Sequence, residues 1–121
     1  MPRVPNPNDG QFPEDGRLPR GLMTPRSVYR RNILRFLLGA EQHALKSRDI
    51  RRAMQRRLMG RLTDADMSFL RLGQPRWVNA MQWERKEMVI EGLLEGKDAA
   101  GHGRWRLTRE GVRVARANNG G

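Results

Sequence analysis

Apolar residues return every three to four positions in three stretches of the chain, and glycine, proline or a capping residue interrupts the pattern between them. In the first stretch Thr24 stands where an N-cap belongs and Pro25 fits the first helical position. Val28, Tyr29, Ile33, Leu34, Phe36, Leu37 and Leu38 then make a broad apolar face, and Gly39 supplies a stop. The link AEQHALK is short, with room for a brief extended bridge at Ala44–Leu45. Ser47 reads as the cap of a second helix, with Asp49 favourable in its first turn. Ile50, Ala53, Met54 and Leu58 mark its buried side, and Arg48, Arg52 and Arg56 recur at i, i+4 and i+8 on the opposite side.

LTDADMSFLRLGQP is an elaborated connector. Thr63 with Asp66 resembles a capping box, so a short helix is expected before Gly73 and Pro75 interrupt. A third long helix is predicted from about Arg76 to Glu91, ending at Gly92. LLEGKDAAGHGRWRL reads as two short strands, Leu93–Glu95 and Arg104–Leu107, around a glycine-rich loop. Thr108 then caps a terminal helix of roughly Arg109–Ala117. The fold class expected is mainly α with a small β-hairpin, the layout of a winged helix-turn-helix. Residues 1–23 hold five of the seven prolines and balanced charge, so they read as a disordered arm; 24–117 form the domain and 118–121 a flexible tail.

Composition narrows the partners. The net charge is +11 over 121 residues, and only Lys46, Lys86 and Lys97 among the bases are lysines. Such a balance fits nucleic acid, an anionic membrane or an acidic protein. Between Thr24 and Gly60 ten bases face Glu41 and Asp49, so much of the excess charge sits there. The chain has no cysteine, which excludes disulfides, thiolate metal sites and cysteine nucleophiles. No apolar run approaches the ~18 residues of a membrane span, and the amino terminus lacks the apolar core of a signal peptide. An intracellular, cytoplasmic and nucleoid-associated protein is expected.

Catalytic patterns are weak. Glu84 and Lys86, with Asp64 or Asp66 upstream, match the acid…E-x-K order of metal-dependent nucleases, but i and i+2 on a helix point apart. His43 and His102 have no ligand cluster around them. No phosphate-binding glycine loop and no triad is present. Neither an enzyme nor a metal, cofactor or small-molecule substrate is expected.

The third helix poses a puzzle, because its acids outnumber its bases. Projection at ~100° per residue resolves it. Trp77, Met81 and Met88 fall on the buried side, and Asn79, Gln82, Trp83, Lys86 and Ile90 cluster opposite. Glu84, Glu87 and Glu91 take a flank where they can pair with arginines of the first two helices. Arg76, Asn79, Gln82 and Lys86 are therefore the candidates for base contact, since amides match adenine edges and a basic group at the helix start approaches guanine or phosphate. Arg48, Arg51, Arg52 and Arg56 of the second helix, with Lys97, Arg104 and Arg106 of the wing, are the candidates for phosphate. Trp105 reads as a core plug beneath the wing. Exposed Trp83 and Ile90 point instead to a protein interface.

The order QPRWVNAMQWERKEM…GLLE…GRWRLTREG resembles the N-terminal winged-helix domain of Mrr-type restriction proteins. The matching positions are Arg76, Trp77, Asn79, Trp83, Gly92, Leu93, Trp105, Leu107, Thr108 and Gly111, and the likeness runs over roughly 25–115. Glu84 departs from the small apolar residue usual inside that helix, and Val89-Ile90 from a usually polar stretch. In the family this domain precedes a nuclease domain, for which 121 residues leave no room. The resemblance implies a double-stranded DNA-binding protein, either a regulator or an accessory subunit of a restriction or DNA-processing system of bacterial or phage origin. The alternative is a winged-helix interaction module docking an acidic protein such as a nuclease or polymerase; a homodimer is compatible with either.

Overall fold

The computed structural model describes residues 23–68, 73–101 and 103–119. The arm expected over 1–23 lies outside these residues apart from Met23, as do His102 and the last two residues of the expected tail. The chain folds as α1 (Arg26–Leu38), a 3-10 turn (Glu41–His43), β1 (Ala44–Lys46), α2 (Ser47–Leu58), α3 (Asp64–Met67), α4 (Arg76–Ile90), α5 (Lys97–Ala100), β2 (Arg104–Arg106) and α6 (Arg109–Asn119). It is a mainly α protein with a small antiparallel sheet, in winged helix-turn-helix order.

Helix α1 is the centre of the packing and touches α2, α4 and α6. Its Tyr29, Ile33 and Leu37 are fully buried and meet Ile50 and Met54 of α2 and Met81 and Met88 of α4 in one apolar cluster. The expected helical faces are therefore the faces that pack, although Ala53, Phe36 and Leu38 are only half-buried. The 3.6-residue repeat is enough to define such faces because the helix turns each apolar position toward the same neighbour.

Two expected caps differ. Pro25, not Thr24, occupies the N-cap of α1, and no side chain caps that helix. Thr24 points elsewhere: its N–H donates to Asp66 Oδ1 at 2.8 Å and its hydroxyl to Asp66 Oδ2 at 2.6 Å. Lys46 is the N-cap of α2, so Ser47 is already helical and its side chain makes no capping bond. The cap at α3 is as expected. Thr63 Oγ1 accepts from Asp66 N–H at 3.1 Å, and Asp66 Oδ2 accepts from Thr63 N–H at 2.8 Å. Asp66 is thus a buried carboxylate that accepts three hydrogen bonds besides charging the start of α3.

The end of α4 follows from local chemistry. Gly92 adopts φ +81°, its N–H donates to Val89 O at 3.1 Å and Leu93 N–H donates to Met88 O at 2.8 Å. This is the Schellman pattern, in which a left-handed residue lets two orphan carbonyls be satisfied. At α6 Thr108 Oγ1 accepts from Gly111 N–H at 2.9 Å and donates to Gly92 O at 2.5 Å. The cap therefore also fastens α6 to the exit of α4. Helix α6 runs to Asn119, two residues past its expected end.

The wing is built differently from a simple hairpin. The ladder partner of β2 is β1, with Ala44 opposite Arg106, Leu45 opposite Trp105 and Lys46 opposite Arg104. The expected strand Leu93–Glu95 is reduced to one bridge, Leu94 with Leu107, and a bond from Glu95 N–H to Arg106 O at 2.8 Å. The glycine-rich loop contains the short helix α5. Arg106 and Leu107 thus have backbone neighbours on both sides, which satisfies groups that an isolated hairpin would leave at an edge.

Candidate nucleic-acid interface

Of the three flank acids, Glu84 and Glu91 are held by α1, whereas Glu87 forms no ion pair among the described residues. Glu84 is buried, with 3% of its side chain exposed, and accepts from Arg26 Nε at 2.8 Å and Arg30 Nε at 2.5 Å. Arg30 turns its other nitrogens to Glu91, with Nη1 to Oε1 at 2.9 Å and Nη2 to Oε2. The Arg30 bond holds the Glu91 carboxyl below its ordinary value, and the same pairing, led by Glu91, holds Arg30 firmly in its charged form. Flank pairing was expected, but the depth of Glu84 was not. A buried charge at that position survives because two guanidiniums surround it. The acid…E-x-K pattern consequently has no convergence: Glu84 faces α1 while Lys86 is exposed with its ammonium 4.8 Å from the Trp83 ring centroid. Asp66 is occupied as the α3 cap.

The opposite side of α4 is open. Asn79, Gln82, Trp83 and Lys86 line one shallow hollow of 280 Å³. The Gln74 side-chain amide donates to Gln82 Oε1 at 3.4 Å, a long contact that leaves Gln82 adaptable. Arg76 is exposed at the first residue of α4, and its Nε donates to Ser68 Oγ at 2.9 Å. Trp83 is 53% exposed and Ile90 70% exposed on the same side. The structure thus brings together Asn79, Gln82, Trp83 and Lys86; Arg76 lies at the start of the helix and Ile90 at its last residue.

Arg48, Arg51, Arg52 and Arg56 are all exposed on α2 and form no ion pair among the described residues. Arg52 and Arg56 share a hollow with Leu45 of β1 and with Asp49. Since β1 pairs with β2, this ridge runs beside the wing. In the wing, Lys97 and Arg104 are exposed. Arg106 is spent on its own chain: its Nε donates to Glu95 Oε2 at 2.7 Å and its Nη2 to Ala99 O at 3.0 Å.

One residue near the site was not anticipated. Arg85 of α4 lies over the Trp105 ring at 5.3 Å and its Nη2 reaches Arg104 O at 3.5 Å. Burial lowers its pKa, and its buried Nε has no partner. Trp105 is 3% exposed, in keeping with a plug under the wing. Arg85 thereby couples the orientation of α4 to β2. Its signal in the sequence was only a basic residue next to Lys86, which projection alone does not distinguish from a solvated one.

Among the described residues no helix is long and apolar enough to cross a membrane. In comparison with known families, the one described as Mrr N-terminal domain matches residues 28–117. No curated protein and no solved structure matches the chain.

Proposed function

Because the chain belongs to the Mrr N-terminal domain family, a restriction-related domain, we propose that it binds double-stranded DNA as a regulator or accessory component of a restriction or DNA-processing system. In this reading α4 enters the major groove with Arg76, Asn79, Gln82 and Lys86 toward the bases. Arg48, Arg51, Arg52 and Arg56 of α2, with Lys97 and Arg104 of the wing, contact phosphates. Arg106 contributes less than its charge suggests, because Glu95 already holds it. The observation that carries the reading is the division of charge across α4: Glu84 and Glu91 are locked to α1, while amides and Lys86 occupy the open side. A groove-facing helix needs that division, since a carboxylate turned to phosphate would repel it.

The test is binding to random duplex DNA across a salt series. Log affinity should fall steeply with log salt, at about 0.9 per phosphate neutralised. Replacing Arg52 and Arg56 by Ala should weaken all duplexes alike and shallow the slope by roughly 2. Absent binding, or a flat salt response, overturns the reading. The exposure of Trp83 and Ile90 favours a second one, docking to an acidic protein. It gains if Trp83→Ala abolishes a partner complex.

A further inference from the structure

Trp83 and Ile90 are the feature that a polar groove-reading helix does not explain. Both are exposed on the open side of α4, at 53% and 70%, where solvent contact with so much apolar surface is unfavourable. The floor of the major groove has one apolar group, the C5-methyl of thymine. The polar groups beside Trp83 match the other half of the same base pair. Asn79 and Gln82 carry side-chain amides, the groups that pair with adenine N6 and N7. Guanine is read by Arg or Lys, and the two basic groups here would reach the groove with part of their capacity used within the protein: Lys86 lies over the Trp83 ring and Arg76 Nε donates to Ser68 Oγ, whereas the two amides line the open side and the two apolar side chains are exposed on it.

We propose that this face selects A·T-rich duplex, with Trp83 and Ile90 packing on thymine methyl groups while Asn79 and Gln82 take adenine edges. The inference rests on the DNA-binding reading and adds the base class. Its geometry is consistent with helical spacing. Asn79 and Trp83 are ~6 Å apart along the axis and Trp83 and Ile90 ~10 Å, which correspond to about two and three base-pair steps. The Lys86 ammonium over the indole limits the ring's freedom and draws phosphate-like charge toward it, so less order is lost when a methyl group meets the ring.

The experiment compares three random-sequence duplex pools of equal length: only A·T pairs, only G·C pairs, and the A·T pool made with deoxyuridine in place of thymidine. Uracil keeps every hydrogen-bonding group of thymine and lacks only the methyl. The native protein should prefer the A·T pool to the G·C pool and bind the uracil pool more weakly, by about fourfold per methyl contacted. The double variant Trp83→Ala/Ile90→Ala, at two exposed positions where folding should survive, should bind the thymine and uracil pools equally while its salt dependence stays native. Equal binding of thymine and uracil pools by the native protein overturns the proposal, as does a double variant that still distinguishes them. In either case a persistent steep salt slope leaves general DNA binding standing. If no pool is bound at all, the DNA-binding reading falls with it.

Discussion

Glu84→Ala isolates the ion-pair cluster between α1 and α4. Removing one partner of a fully buried pair costs about 3–5 kcal/mol, because the remaining charge is left without compensation. The geometry here reduces that figure. Arg26 has 61% of its side chain exposed and can return its guanidinium to water once Glu84 is gone. Arg30 is only 28% exposed, but it keeps its contacts with Glu91. The expected loss is therefore about 2–3 kcal/mol, most of it from Arg30 and the vacated volume. For a domain of this size that corresponds to a fall in Tm of roughly 10–20 °C. Urea unfolding followed by circular dichroism measures it, with Arg26→Ala as the reference, expected to lose less than about 1 kcal/mol as an exposed pair member. A loss below about 1 kcal/mol for Glu84→Ala, or equal losses in the two variants, would refute the idea that Glu84 anchors α4. Where the variant is folded its affinity for DNA should not fall, since the carboxylate faces α1; a fall at full stability would place Glu84 on the groove side.

Three further outcomes test the frame that holds the site. Gly111→Ala should cost at least about 3 kcal/mol or prevent folding, because an added Cβ would lie 2.0 Å from the Leu93 carbonyl oxygen, a backbone atom that cannot swing aside; a thermal melt within a few degrees of the native protein would contradict the packing. Asp66→Ala removes the acceptor of the Thr24 N–H, Thr24 hydroxyl and Thr63 N–H together, with an expected loss of about 3 kcal/mol in chemical unfolding and earlier amide exchange at Thr24 and Thr63. Glu91, whose folded pKa lies below its ordinary 4.5 through the Arg30 bond, adds stability that is fully present above 4.5 and is lost as pH falls through the lower folded value. Glu91→Gln should accordingly flatten part of the stability decline on the acid side of 4.5, and an unchanged acid limb would show that the exposed pair contributes nothing.

Several motif residues acquire structural explanations that change how the site is understood. Thr108 and Gly111 belong to the W-x-L-T-x-x-G close, yet neither faces the open side of α4. Thr108 joins α6 to Gly92, and Gly111 makes room for the Leu93 carbonyl. Trp105 fills the space under the wing against Arg85. Of the matching residues, Arg76, Asn79 and Trp83 lie at the start or on the open side of α4, so the shared pattern is mostly the pattern of the scaffold.

The amino-acid sequence by itself determined the helices other than α5, the Thr63–Asp66 cap, the glycine end of α4 at Gly92, the buried Trp77–Met81–Met88 side and the grouping of Asn79, Gln82, Trp83 and Lys86. Each of these depends on residues within one or two turns, where the period of the helix and the valence of the backbone leave few alternatives. Tertiary structure alone decided that Thr24 would serve Asp66 rather than α1, because the two meet only after 42 residues of chain have folded back. It alone paired β2 with β1, across α2, α3, α4 and α5, and turned the expected hairpin strand into a single bridge. The acids of α4 show both halves of this division. Their place on one flank follows from the helical period, whereas the burial of Glu84 required α1 to bring Arg26 and Arg30 from far along the chain, since a carboxylate leaves water only where such partners meet it.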